Sequence, residues 1–277
     1  MRRRVTPLLS ILVLVFSIGV YAPGAYAEVL GDGSLDPSFD PGTGLASTLP
    51  PTAGLAIAEQ TDGKILIGGY FTSYNGADRS GIVRVNPDGS VDQTFNPGTG
   101  LNGPPVAIVP QADGKILVAG SFTEFDGVAR GNLLRLNSDG SLDTTYVPAG
   151  FNDQVSAMAM LADGDLLIAG PFVFYGATAT PAGLVRLNPD TTMDTNFNPA
   201  TGTAGAVRSI LERPDGGVLL GGEFANYGAA ARAGIVRIEG NGSLVPSFDP
   251  GAGFTGGFQP GLLSLASTDG GVIAAGA

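Results

Sequence analysis

The chain has 277 residues and a formal net charge of −11, and it contains no Cys, His or Trp. Without Cys there are no disulfides, no lipidated cysteine and no thiolate chemistry; without His the commonest general base and metal ligand are gone. The acidic balance disfavours nucleic acid and anionic membrane surfaces, while 43% hydrophobic residues support a real core.

From the N-terminus, residues 1–27 read as a signal peptide. Arg2, Arg3 and Arg4 form a positive start, Leu8 to Val20 an apolar run, and Ala25-Tyr26-Ala27 a small-residue cleavage site. The apolar run is short for a membrane span, so cleavage after Ala27 is favoured over a retained anchor. Losing those three arginines takes the charge from −11 to about −14. The expected location is therefore secreted, cell-surface or periplasmic, with no membrane insertion after signal cleavage.

The remainder, 28–277, is organised by two alternating motifs. DGSLDPSF at 32–39 recurs as DGSVDQTF at 88, DGSLDTTY at 139, DTTMDTNF at 190 and NGSLVPSF at 241. DGKILIGG at 62 recurs as DGKILVAG at 113, DGDLLIAG at 163, DGGVLLGG at 215 and DGGVIAAG at 269. A period near 51 kept this long marks a repeat architecture, and it delimits units at about 53–97, 105–148, 154–199 and 206–250. A partial unit, 262–277, follows, and 32–40 stands alone as an orphan outer strand.

Each unit carries four short apolar runs. In the second they are VAIVPQ (106–111), KILVAGSF (115–122), NLLRLN (132–137) and SLDTTY (141–146). They are rich in Val, Ile, Leu and Phe and bounded by Gly, Asn, Asp and Pro, which is strand chemistry; no sustained 3.6-residue apolar period occurs. The fold class is all-β: a β-propeller of four-stranded antiparallel blades, about five units with the last incomplete, forming an open or partial ring. Strands such as ILIGG (65–69) are apolar at consecutive positions, as expected when blades stack face to face, and their terminal glycines permit close backbone approach. The aromatic pairs Phe71/Tyr74, Phe122/Phe125, Phe172/Tyr175 and Phe224/Tyr227 recur in every full unit, which favours inter-blade packing over a ligand box.

NPDGSVDQTFNPGTG (86–100) has the look of a metal loop, because Asn86, Asp88, Ser90 and Asp92 alternate as possible oxygen ligands. A hairpin turn explains it better. Pro87 suits the first central position of a type I turn and Gly89 the left-handed position after it. Counting outward, Val85 faces Val91 and Arg84 faces Asp92, a favourable cross-strand pair. The same register predicts Arg135 with Asp143 and Arg186 with Asp194; Arg237 meets Val245 instead, and Asp36 has no arginine. These pairs are structural: no catalytic, cofactor-binding or metal-ligating residue is assigned, and no cofactor is expected.

The phrases DGSLDPSFDPGTG, AIAEQTDGKILIGGYFTSYNG and RSGIVRVNPDGS together resemble the delta-sixty repeat family of secreted bacterial β-propeller-like proteins, over essentially everything from Asp32 to Ala277. The resemblance implies propeller blades in exported, often surface-associated proteins, and no catalytic residues. The final unit stops where the others continue into a third strand; a truncated member of a longer array is favoured over an incomplete five-bladed ring.

The functional expectation is a non-catalytic module for binding, adhesion or scaffolding outside the cytoplasm, with an extracellular protein or glycan as partner and no nucleic acid. The alternative is a propeller-type carbohydrate-active hydrolase or lyase. It would draw on the carboxylates that break the repeat: Glu59, Glu124, Asp126, Asp153, Asp165, Glu212, Glu223 and Glu239.

Overall fold

The computed structural model describes residues 36–48, 52–180, 183–254, 262–268 and 271–276. The segment read as a signal peptide, 1–27, lies outside these, as do the DGSL turn at 32–35 and the Asp269-Gly270 turn. Among the described residues no α-helix occurs, and no helix is long and apolar enough to cross a membrane.

The first element, β1 (Leu45–Ala46), precedes the first unit. Unit 1 contains β2 (Ala53–Glu59), β3 (Ile65–Tyr70), β4 (Ser73–Tyr74), β5 (Ala77–Asp78) and β6 (Ile82–Val85). Unit 2 repeats the series as β7 (Pro105–Pro110), β8 (Ile116–Gly120), β9 (Glu124–Phe125), β10 (Val128–Ala129) and β11 (Leu133–Leu136). Unit 3 has β12 (Ala157–Met160), β13 (Leu166–Ala169), β14 (Phe174–Tyr175), β15 (Thr178–Ala179) and β16 (Leu184–Leu187). In unit 4 the second strand and the small hairpin merge: β17 (Thr203–Glu212), β18 (Val218–Tyr227), β19 (Ala230–Ala231) and β20 (Ile235–Ile238). The last unit shows β21 (Leu262–Thr268) and β22 (Gly271–Gly276).

The protein is an all-β propeller-type repeat. Its blades are the antiparallel sheets β2-β3-β6, β7-β8-β11, β12-β13-β16 and β17-β18-β20, followed by the hairpin β21-β22. The Asp-Gly at 62, 113, 163 and 215 makes the turn expected of it: Gly63, in the left-handed region, donates to Gln60 O at 2.9 Å while Gln60 donates to Lys64 O at 2.8 Å.

The fourth run of each blade is shorter than the four-stranded description implies. It contributes one bridge, at Val85–Val91, Leu136–Leu142, Leu187–Met193 and Ile238–Leu244. In all four units the chain turns straight after the bridge, and in units 1 to 3 an aspartate side chain caps that turn. Asp92 Oδ1 accepts from Thr94 N–H at 2.9 Å, and Phe95 N–H donates to Asp92 O at 3.2 Å. A side chain that satisfies the backbone locally closes a turn in place of further strand pairing.

The core lies between blades. Leu66, Ile82 and Phe95 of unit 1 pack against Ile108, Ile116 and Val118 of unit 2, and comparable clusters join units 2 and 3, 3 and 4, and 4 and 5. Strands buried on both faces explain the consecutive apolar runs. Three of the aromatic pairs are buried in this packing, and Phe71 and Tyr74 are buried against Phe39 and Leu45, which precede the first blade. At the strand ends the backbones approach closely: a Cβ on Gly69 would sit 2.1 Å from Ala53 O, and one on Gly120 would sit 2.3 Å from Pro104 O. The inner strands β2, β7, β12, β17 and β21 stack in chain order, and no closed sheet forms among the described residues.

Candidate functional site

The hairpin between third and fourth runs is where charged side chains converge. In unit 1 the turn Asn86-Pro87-Asp88-Gly89 carries Gly89 N–H to Asn86 O at 2.9 Å and Asn86 N–H to Ser90 O at 2.8 Å, with Gly89 at φ 85°. That is a three-residue loop with a left-handed glycine, which sets the register of the pair behind it. Asp88 faces its own loop, accepting from the N–H and hydroxyl of Ser90 at 2.9 and 2.6 Å.

Arg84 Nε donates to Asp92 Oδ2 at 2.7 Å, and both side chains are buried. Lys64, from the DGK turn on the neighbouring strand, also reaches Asp92 Oδ2, at 3.0 Å. The Arg84 guanidinium lies 4.8 Å over the Phe95 ring, and its Nη1 donates to Ser138 O of the next unit at 2.7 Å. Unit 2 repeats the arrangement: Arg135 Nε to Asp143 at 2.8 Å, Lys115 Nζ to Asp143 at 2.7 Å, and the guanidinium 4.5 Å over Tyr146.

Burial pushes the Asp92 carboxyl up, but hydrogen bonds from Thr94, Lys64 and Arg84 outweigh it and hold the group well below the usual carboxylate range. Asp143 is held low in the same way against its burial, by Lys115, Thr145 and Arg135. Both carboxylates are thus anions saturated by protein donors. Among the described residues no group of three or more acidic side chains is arranged to hold a metal ion.

Unit 3 departs from the pattern because Asp165 stands where Lys64 and Lys115 stand. Arg186 bonds Asp165 at 2.7 Å and Asp163 closely, leaving Asp194 at 3.5 Å. Burial works against its charge, but the surrounding aspartates raise its pKa. Its Nη1 still bridges to the next unit, donating to Gly240 O at 2.6 Å. In unit 4, where Val245 replaces the aspartate, Arg237 turns to Asp215 at 2.5 Å.

The lysines and the inter-unit bonds were not anticipated from the sequence. The signal for the lysines was present: the DGK form of the motif occurs in the two units with the most regular Arg-Asp pairs. Nothing local signals the reach to Ser138 or Gly240, 54 residues on.

The second feature is a rim built by the small hairpins. Tyr74-Asn75-Gly76-Ala77 turns with both central residues left-handed, at φ 46° and 76°, and its strand β4 pairs with β1 ahead of the blade. Leu101–Phe125 and Phe151–Tyr175 are the same link in the next units. Asp126 belongs to this structural set, since its carboxylate caps the preceding loop by accepting from Thr99 N–H at 2.8 Å. Between units 2 and 3 the rim opens into a cleft of about 460 Å³, lined by Thr123, Arg130, Val147, Phe151, Asn152 and Gly176.

The other carboxylates that break the repeat are dispersed. Glu212 accepts from Ala162 N–H at 2.8 Å across a unit boundary, and Glu223 pairs with Arg208 at 3.2 Å. Asp153 accepts from Gln154 N–H at 2.7 Å, while Glu59, Glu124 and Glu239 are exposed. Asp165 sits with Asp163 and Asp194 around Arg186, and no contact brings two of the remaining acids together across a cleft.

Comparison with known proteins agrees with this architecture. Residues 60–95, 111–146, 161–197 and 213–248 each match a family model described as "Domain of unknown function (DUF5122) beta-propeller". No curated protein matches the chain. Among solved structures, a gluconolactonase from Xanthomonas campestris is 12% identical with a TM-score of 0.46, over 79% of this chain and 68% of that one. The extracellular domain of a proposed hybrid two-component system from B. thetaiotaomicron is 13% identical at TM-score 0.45, over 82% of this chain and 26% of that one. PorZ, a surface component of the type-IX secretion system of Porphyromonas gingivalis, is 13% identical at TM-score 0.45, over 81% of this chain and 31% of that one. This chain therefore spans about a quarter to two thirds of those proteins, and likeness at this level carries no argument about activity.

Proposed function

The chain belongs to the DUF5122 β-propeller family, and from that premise we propose that it is a non-catalytic binding module that works outside the cytoplasm, with a glycan or a protein surface as its ligand. The propeller supports many chemistries, so the argument rests on the side chains rather than on the fold. The observation that carries it is the rim cleft between units 2 and 3. It places Arg130 and the exposed Val147 over the buried Phe151, with Asn152 fixed beside them by accepting from Val173 and Phe174 N–H. A cleft whose lining mixes small apolar residues with a cationic and an amide side chain suits recognition of a polar ligand surface. The opening motif of the chain, read as an export signal, and the likeness of its repeats to the delta-sixty type support the extracellular setting.

The test is binding of the purified chain to arrays of extracellular glycans and surface proteins, with Arg130→Glu as the comparison. Saturable binding that Arg130→Glu abolishes without changing the melting temperature supports the reading. Binding indifferent to Arg130→Glu, or cleavage of the bound glycan, overturns it.

A further inference from the structure

A binding site in a repeat protein needs residues that the other units lack, and the departures from this repeat gather at the rim between units 2 and 3. The loop leaving each fourth run begins with an aspartate or asparagine whose Oδ1 accepts from an N–H two residues on. Asp40 takes Gly42 at 2.9 Å, Asn96 takes Gly98 at 3.2 Å, Asn198 takes Ala200 at 3.2 Å and Asp249 takes Gly251 at 2.8 Å. Between units 2 and 3 the exposed Val147 stands in that place. The loop after it, Pro148-Ala149-Gly150, is one residue shorter than Pro97-Gly98-Thr99-Gly100. One junction earlier, Asp126 accepts from the N–H and hydroxyl of Thr99 at 2.8 and 3.0 Å and packs on Gly98; its counterpart here is Gly176. The cleft is the space those three changes leave open.

Donors in that opening lack acceptors. Arg130 is tethered by one nitrogen: Nη1 donates to Ala129 O at 2.8 Å, while Nε is buried with no hydrogen-bond partner. Nε and Nη2 form one edge of the guanidinium, and such an edge takes both oxygens of a carboxylate in parallel. Asn152 adds a second donor. Its counterpart Asn102 donates Nδ2 to Thr123 Oγ1 at 2.9 Å, but Val173 replaces that threonine, and Asn152 Nδ2 has no partner among the described residues. Among the described residues no acidic side chain lines the cleft or pairs with Arg130. The surface around it is apolar. Val128, Val147, Val173 and Phe174 are four of the eight large apolar side chains exposed among the described residues, and all lie on the hairpins and loop that border the cleft. The place of Phe174 is held in the other units by Ser73, Glu124 and Asn226.

We infer that the cleft takes an acidic sugar, a uronate residue within an otherwise neutral glycan. Its carboxylate sits on the Nε–Nη2 edge of Arg130, a hydroxyl accepts from Asn152 Nδ2, and its C–H face lies on Phe174. This rests on the binding-module reading above and narrows its ligand. Arg79 and Arg232 repeat the tethered guanidinium, with Nη1 on Asp78 O and Ala231 O and Nε unpartnered, but their junctions keep the capped loop. The donor edge therefore belongs to the repeat, and the cleft to one junction. A chain of net charge −11 repels a long row of like charges, so a single carboxylate among neutral sugars suits it better than a polyanion.

Calorimetry tests this with matched pairs: oligosaccharides ending in glucuronate, and the same compounds with the carboxylate reduced to the alcohol. The acid form should bind the unmodified chain at least about tenfold more tightly than the alcohol. Arg130→Gln should erase that difference, and Phe174→Ser should weaken both forms about three- to tenfold. Arg79→Gln, the same residue at a junction without the cleft, should change neither. Melting temperatures check that each variant is folded, and the ligand pair on the unmodified chain decides the point without any variant. Equal affinity for the two forms, or an equal loss with Arg79→Gln and Arg130→Gln, overturns the inference and leaves the binding module standing. The same holds if no acidic glycan binds while a neutral glycan or a protein binds through Arg130. Cleavage of the glycan, or binding of no glycan and no protein, overturns both.

Discussion

Replacing Asp by Asn at the three equivalent positions, 92, 143 and 194, should give a graded loss of stability. Asp92 accepts from Arg84 at 2.7 Å and from Lys64 at 3.0 Å with both ends of the Arg84 pair buried. Removing one partner of a buried pair leaves a charge without compensation, which typically costs about 3–5 kcal/mol. Lys64 retains 27% side-chain exposure and can return to water, so the lower end, about 3 kcal/mol, is expected for D92N. For a domain of this size that corresponds to a fall in melting temperature of roughly 6–12 °C. D143N should match it, because Asp143 has the same two cations at 2.7 and 2.8 Å. D194N should cost under about 1 kcal/mol, since Arg186 lies 3.5 Å away and keeps Asp163 and Asp165. Urea unfolding followed by circular dichroism measures all three. If D194N costs as much as D92N, or D92N costs less than about 1 kcal/mol, the ion pairs are not what holds these hairpins.

The pH dependence should follow from the same groups. Asp92 and Asp143 are held below the unfolded value of about 3.9, so their contribution is present above that pH and is lost as pH falls toward their folded values. Acid titration of D92N/D143N should therefore show a flatter profile than the unmodified chain. At the alkaline end, burial, with Asp40 and Asp88 nearby, pushes the Tyr74 hydroxyl up to about 12. Its contribution is full below about pH 10 and lost as pH rises toward 12; Tyr74→Phe should flatten that limb in melts run from pH 9 to 12. At neutral pH, Tyr74→Phe removes the 2.9 Å bond to Gly89 O and should cost about 1 kcal/mol by urea unfolding. Asp165→Lys, which gives unit 3 the residue of units 1 and 2, should raise stability by about 0.5–1 kcal/mol, and a lower melting temperature would contradict it.

Much of the blade was legible because its determinants are local. Asp-Gly at 62 and 113 and Pro-Asp-Gly at 87–89 impose turns through left-handed glycines, and counting from Gly89 puts Val85 opposite Val91. The consecutive apolar run at 65–69 requires cover on both faces, which a stack of blades supplies. The length of the fourth run was not legible. Asp92 pairs with Arg84 across the strands, and its other carboxylate oxygen takes Thr94 N–H in a turn that follows a single bridge in every unit, with or without the aspartate. The second cation on Asp92 was also hidden, since Lys64 sits in a different turn and meets it only once β3 and β6 are paired.

Sequence alone thus determined the repeat, the strand chemistry and the turn registers, because each depends on residues a few positions apart. Only the tertiary structure decided which charges share an aspartate and which arginine reaches the next unit. The first depends on how strands pair within a blade, and the second on how neighbouring blades lie against each other. Arg84 shows the difference: its bond to Asp92, eight residues on, follows from the turn between them, whereas its bond to Ser138, 54 residues on, needs the next blade in place.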